Sequence, residues 1–165
     1  MKIAHQLTEN VKFLHKVALV HQGKVLVLKR AANAKSRPGA WDLPGGNAEW
    51  PAELTTSKRN VHQEDIAREV IEETGFEVLP AVFSLENMVH FFSYFDERKQ
   101  VYSIVCGWVV SNLTDLDPDK VLLSDEHTEY RWIELDELAS LDFGEPVGRF
   151  VKTIIENSLD KFVAK

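Results

Sequence analysis

Glu69, Glu72 and Glu73 sit in the run Arg68-Glu69-Val70-Ile71-Glu72-Glu73-Thr74-Gly75-Phe76. On a helix turning about 100° per residue, these three carboxylates fall within roughly 100° of one another and crowd one patch. Like charges three and four residues apart cost a helix on the order of 0.2–0.5 kcal/mol per pair, a cost that a gathered cation would offset. All-oxygen ligand sets of this kind suit hard divalent ions, Mg2+ first with Mn2+ as a substitute. Upstream, Leu43-Pro44-Gly45-Gly46 offers a glycine pair whose backbone can approach a ligand closely.

The carboxylates need a helix, and its limits are written around them. Asn60 is a good N-cap, Gln63 completes a capping-box pattern, and Gly75 is the natural C-cap, so the helix is expected over about 61–74. Ile66, Ala67, Val70 and Ile71 supply the apolar side away from the glutamates. Before the helix, the apolar runs 13–21 and 24–31 meet at Gln22-Gly23 and read as a hairpin. A basic loop over 32–40 leads into a short strand at Trp41, and 47–58 reads as loop. After it, 77–95 and 100–110 read as long strands around a polar turn. Tyr102, Ile104, Cys106, Trp108 and Val110 share one face of the second, which is expected to be central and buried on both sides. A last strand over 129–135, a helical turn over 136–140 and a C-terminal helix over 146–163 complete the order. In that helix Val147, Phe150, Val151, Ile154, Ile155 and Leu159 recur at helical spacing. The fold class is α+β, arranged as an α/β/α sandwich with a mixed central sheet.

Composition limits the partners. With 165 residues, 44% apolar and 27% charged, the chain is expected to form a single domain over 1–165. A net charge of −7 argues against a surface that grips a nucleic-acid polymer, and leaves room for a small anionic substrate held through metal. Residues 1–10 lack a signal-peptide pattern and no apolar run approaches a membrane span, so no membrane partner is expected. The single cysteine, Cys106, excludes an internal disulfide framework and suits the cytoplasm. Oligomeric state stays open, a homodimer included.

Gly46 followed by Arg68-Glu69-Val70-Ile71-Glu72-Glu73-Thr74-Gly75-Phe76 resembles the signature of the Nudix (MutT-like) hydrolases. Leu43-Pro44-Gly45-Gly46, Lys29-Arg30-Ala31 and Glu126-His127 through Tyr130-Arg131-Trp132 extend the likeness over about 17–138. The sequence departs from the family pattern in one place. Twenty-one residues separate Gly46 from Arg68, more than the pattern allows, so an insertion lies between Trp50 and Asn60 inside the box. Asn60 stands where the family has its first glutamate, and Glu53, in the inserted loop, is the nearest carboxylate that could replace it.

The resemblance implies metal-dependent hydrolysis of a pyrophosphate bond in a nucleoside diphosphate linked to another group. Glu69, Glu72 and Glu73 would then be metal ligands with the Gly46 carbonyl as a fourth. Arg68 would tie helix to loop by an ion pair, and Arg30 would contact a substrate phosphate. Glu126 is the first candidate for the general base and Glu129 the second. Each has a plainer role to weigh: solvated helix face for the glutamates, strand-end surface for Arg30, polar loop for Glu126, His127 and His62. Cys106 reads as core packing, which weighs against an isomerase on the same fold. Trp50, Phe92 and Tyr94 are core aromatics or base-stacking groups. ADP-ribose-specific members carry a proline near where this chain has Phe91 and Phe92, and Tyr94 is compatible with dinucleoside polyphosphates. The early hairpin and glycine turn look most like the members that convert a nucleoside triphosphate to monophosphate and pyrophosphate. Dinucleoside polyphosphate, ADP-ribose and nucleotide-sugar hydrolysis, and a non-catalytic nucleotide-binding module, are the alternatives.

Overall fold

A computed structural model describes residues 10–49, 60–111 and 117–163. Trp50, Glu53 and the inserted stretch lie outside these residues. The elements run β1 (Val11–His21), β2 (Lys24–Arg30), β3 (Trp41–Asp42), α1 (Val61–Thr74), β4 (Met88–Asp96), β5 (Val101–Val110), β6 (His127–Ile133) and α2 (Arg149–Val163). Short 3-10 turns at Pro80–Val82, Leu85–Asn87 and Leu135–Ser140 join them.

β1 organises the sheet. Its far end pairs antiparallel with β2 at Val20↔Val25 and His21↔Lys24, the expected hairpin. The rest of the strand runs parallel to β5, from Val11↔Tyr102 to Leu19↔Val110. The order is β3-β2-β1-β5-β4, with β6 also on β2, so the sheet is mixed. Every residue from Val17 to Val20 is buried, which a strand achieves only when both faces are covered. Val17 and Leu19 pack with Ile66 and Val70 of α1 and with Cys106, Trp108 and Val110 of β5. Ala18 and Val20 pack on the opposite face with Val151, Ile154, Ile155 and Leu159 of α2. Two helices thus cover two sheet faces, the α/β/α arrangement, and β5 is central as its double apolar pattern required. Each such aliphatic side chain, fully buried, contributes about 1.5–3 kcal/mol.

Four expectations need correction. The stretch 77–87 is not strand: Pro80 has no N–H for a ladder, 3-10 turns form there, and β4 begins only at Met88. The capping box at Asn60 does not form. Asn60 adopts a left-handed conformation (φ 55°, ψ 37°) and its side chain makes no cap bond, while Gln63 Nε2 donates to Phe83 O at 3.2 Å. Ile71 is exposed, because α1 turns Ile66, Val70, Glu73 and Thr74 inward. Finally, 145–148 is a turn and α2 starts at Arg149, which leaves Val147 exposed. Gly75 does end α1, in a left-handed conformation (φ 76°), with its N–H donating to Ile71 O at 2.8 Å.

Candidate active site

The glycine turn is zipped along β1. Val17 N–H donates to Pro44 O at 2.9 Å, His15 N–H to Gly46 O at 2.9 Å, and Ala48 N–H to Phe13 O at 2.7 Å. Two different constraints select the two glycines. Gly45 has φ 121° and a Cβ there would collide with the His15 carbonyl; at Gly46 a Cβ would stand 2.7 Å from Glu69 Oε2. A carboxylate therefore presses directly on backbone, a close approach that only glycine permits.

The turn and α1 meet over a cavity of about 310 Å3. Glu69, Glu73 and Glu126 line it together with Gly46, while Lys12, Lys16, Arg30 and Arg37 line it as well. Glu73 is almost fully buried and accepts the Gly45 N–H at 2.7 Å. Burial pushes its carboxyl up to about 7, with Lys16 and the Gly45 bond pulling the other way and Glu69 and Asp42 adding to the rise. Burial also raises Glu69, against the opposing pull of Arg68. Glu72 is exposed and does not line the cavity.

Arg68 is shared among several acids. Its Nη2 lies 2.7 Å from Asp65 Oδ1, 2.9 Å from Glu69 Oε1 and 3.6 Å from Glu49 Oε2, and its Nη1 lies 2.8 Å from Glu72 Oε2. Asp65 Oδ2 in turn accepts the Glu49 N–H at 2.8 Å. Asp65 and Arg68 together couple α1 to Glu49, which follows the glycine turn.

The same cavity is lined by a second, buried cluster. Asp42 is fully buried, and its Oδ2 contacts Lys16 Nζ at 3.1 Å, Arg30 Nη1 at 3.2 Å and Arg37 Nη2 at 2.6 Å. Burial alone would raise its carboxyl, but Lys16 and Arg37 outweigh it and hold it below the usual range. Arg30 also donates from Nε to Ser36 O at 2.8 Å, so part of its fork is committed within the protein. One carboxylate among three cations leaves an excess of positive charge, on a wall suited to phosphate.

Of the other residues singled out in the sequence, Tyr94 reaches the cavity. Glu129 does not: it is bound by Lys29 at 3.3 Å and Arg131 at 2.9 Å. Phe92 stacks against Tyr94 with ring centroids 5.9 Å apart and packs on Phe150 at 5.8 Å. His62 stacks on Trp108 at 5.7 Å. His127 is buried, its imidazole lowered to about 4 by burial, with Nδ1 3.3 Å from Ser124 Oγ. Cys106 is buried on the β5 face and burial pushes its thiol up to about 11, the state of a packing residue.

Sequence reading missed Lys12, Lys16, Arg37, Asp42 and Asp65. Lys16 and Asp42 did leave a signal: each is a charged residue inside an apolar run, where burial demands a partner.

The donor chemistry fits a divalent cation. Glu69, Glu73 and the Gly46 backbone line one cavity and offer oxygen donors, and burial holds both carboxyls above the usual range, a desolvation cost that a cation would offset. Among the described residues no three acidic, histidine or cysteine side chains stand close enough to hold an ion as they are placed. Arg68 occupies the space between Glu69 and Glu72, so Glu72 would join only by exchanging that partner.

Solved structures share this architecture. The MutT protein from Methanosarcina mazei Go1 superposes with a TM-score of 0.64 at 24% identity, covering 97% of this chain and 100% of the other. The E. coli ORF135 protein gives 0.65 at 16% identity, with 98% of each chain covered. The NUDIX domain of Shewanella oneidensis NrtR, solved with ADP ribose, gives 0.60 at 16% identity over 93% of this chain and 88% of that one. A search of curated proteins returns no match. The family model for the NUDIX domain matches residues 16–154. Spanning most of the sequence and both halves of the cavity, that match places the chain in the NUDIX family of hydrolases, which act on phosphorus anhydrides in nucleoside diphosphate derivatives and generally use divalent metal ions.

Proposed function

We propose that this chain hydrolyses a nucleoside triphosphate to the monophosphate and pyrophosphate with Mg2+, for which Mn2+ can substitute. The observation that carries the reading is a single cavity lined both by the α1 carboxylates Glu69 and Glu73 and by Lys12, Arg30 and Arg37. Such a pocket would suit a polyphosphate together with a divalent cation. Glu69, Glu72, Glu73 and the Gly46 carbonyl would hold that cation, which when bound supplies charge neutralisation of phosphate oxygens and Lewis-acid activation of water. Arg30, with the free part of its fork, contacts a phosphate. Arg68 keeps the acids and the glycine loop in register. Glu126 takes the proton of the attacking water at its carboxylate, and Tyr94, exposed at the cavity, offers an aromatic face to the base. The substrate is a free nucleotide, with neither a nucleic-acid polymer nor a membrane involved, and the reaction belongs in the cytoplasm.

The test is a substrate panel with purified protein and Mg2+: canonical and oxidised triphosphates, dinucleoside polyphosphates, ADP-ribose and nucleotide sugars. Pyrophosphate release from a triphosphate, abolished by Glu72→Gln, is the expected result. Turnover confined to another class would move the substrate assignment, and no turnover on any member would reduce the chain to a nucleotide-binding module.

A further inference from the structure

Lys16 has no role in the mechanism above, although it sits almost fully buried beside the glycine turn. The ladder between β1 and the turn engages alternate carbonyls: Pro44 O takes the Val17 N–H and Gly46 O takes the His15 N–H. The Leu43 and Gly45 carbonyls take no part in that ladder. Lys16 Nζ donates to Leu43 O at 3.0 Å and to Gly45 O at 2.9 Å, and contacts Asp42 Oδ2 at 3.1 Å. Three oxygens thus meet an ammonium that has three N–H donors.

We propose that Lys16 is a tethered cation: its ammonium fills an oxygen cage made by Leu43, Gly45 and Asp42, and by pinning the Gly45 peptide it acts as the positioning residue of the acidic pocket. Gly45 connects the two sides. Its carbonyl is held by Lys16 while its N–H donates to Glu73 at 2.7 Å, so fixing one end of the residue aims the other at the carboxylate. A charged donor is about twice as strong as a neutral one, and Gly45 at φ 121° has conformational freedom that an unpinned peptide would use. Packing alone does not call for an ammonium here, because the following residues of β1, Val17 to Val20, are buried and apolar.

The inference rests on the proposed hydrolase reading for its kinetic readout, whereas its spectroscopic readout stands without it. Lys16→Met keeps the aliphatic stem and removes the charge. In amide NMR spectra of metal-free protein, it is expected to displace the Gly45 resonance while residues of the α2 face stay in place. Loss of positioning should lower kcat by about 10- to 100-fold with KM barely changed. Lys16→Ala, which empties the cage, should regain part of both signals on addition of propylammonium, and Lys16→Met, whose stem blocks it, should not. A Gly45 resonance and kcat at wild-type values in Lys16→Met would overturn the proposal, as would equal amine rescue of both variants. Should Lys16→Met fail to fold, Lys16→Ala prepared in propylammonium decides: removing the amine must displace Gly45, and no response overturns the claim. If the wild-type protein hydrolyses no nucleotide, the functional reading falls while the Gly45 resonance still tests Lys16.

Discussion

Asp42→Asn is the sharpest perturbation of the buried half of the cavity. Asparagine is nearly isosteric and keeps an oxygen for the Leu43 N–H, which Asp42 Oδ1 accepts at 2.9 Å. What it removes is the negative charge that Lys16, Arg30 and Arg37 share at 3.1, 3.2 and 2.6 Å. Breaking a buried ion pair by removing one partner costs about 3–5 kcal/mol, because a charge is left uncompensated. With a urea m-value of about 2 kcal/mol/M, that loss lowers the unfolding midpoint by about 1.5–2.5 M. The pH dependence checks the electrostatic origin. The folded carboxyl lies below its unfolded value, so its stabilisation is present above the unfolded pKa of about 3.9 and is lost as pH falls through the folded one. Urea unfolding of the two proteins between pH 7 and pH 3 should therefore show their stabilities converging in acid. A loss under about 1 kcal/mol at pH 7, or a gap that does not narrow in acid, would refute this account of the cluster.

Two further outcomes follow from the glutamate wall. Glu73 is held protonated up to about 7 by burial, so between about 4.5 and 7 the metal-free folded state binds more protons than the unfolded chain and stability falls as pH rises; Glu73→Gln should flatten that slope in thermal unfolding, and an unchanged slope would sink the assignment. Gly45→Ala should be more destabilising than Gly46→Ala, because its Cβ meets the fixed His15 backbone at a strained φ, whereas at Gly46 the obstacle is the Glu69 side chain; melting temperatures and turnover of both check this, with Gly46→Ala expected to stay folded but inactive.

Much of the fold was legible because it rests on periodicity. The alternation in 101–110 marked a strand buried on both faces, and β5 is that strand, flanked by β1 and β4. Spacing in 151–159 marked the buried stripe of α2. Misreadings came where composition and local backbone disagree. Residues 77–87 contain valine and phenylalanine, yet Phe83 is buried from a turn rather than a strand. Asn60 has the right residue type for a cap but the wrong backbone conformation for one. An apolar residue reports that something is buried, not which element buries it.

The site was legible only in its local half. Glu69, Glu72 and Glu73 announce themselves by sequence spacing, since a helix converts that spacing into a shared patch. Even so, spacing did not separate buried Glu73, hydrogen-bonded to Gly45, from Glu72 in solvent; that difference comes from the sheet beneath α1. The cationic cluster is assembled from Lys16 on β1, Arg30 on β2, Arg37 in a loop and Asp42 on β3. No periodicity links those positions, because the pairing of three strands brings them together. Asp65 belongs to the same class: only the turn of α1 against the glycine loop places its carboxylate on both Arg68 and the Glu49 N–H. That bridge ties α1 to the segment that follows the glycine turn, a link between positions sixteen residues apart that no local pattern announces.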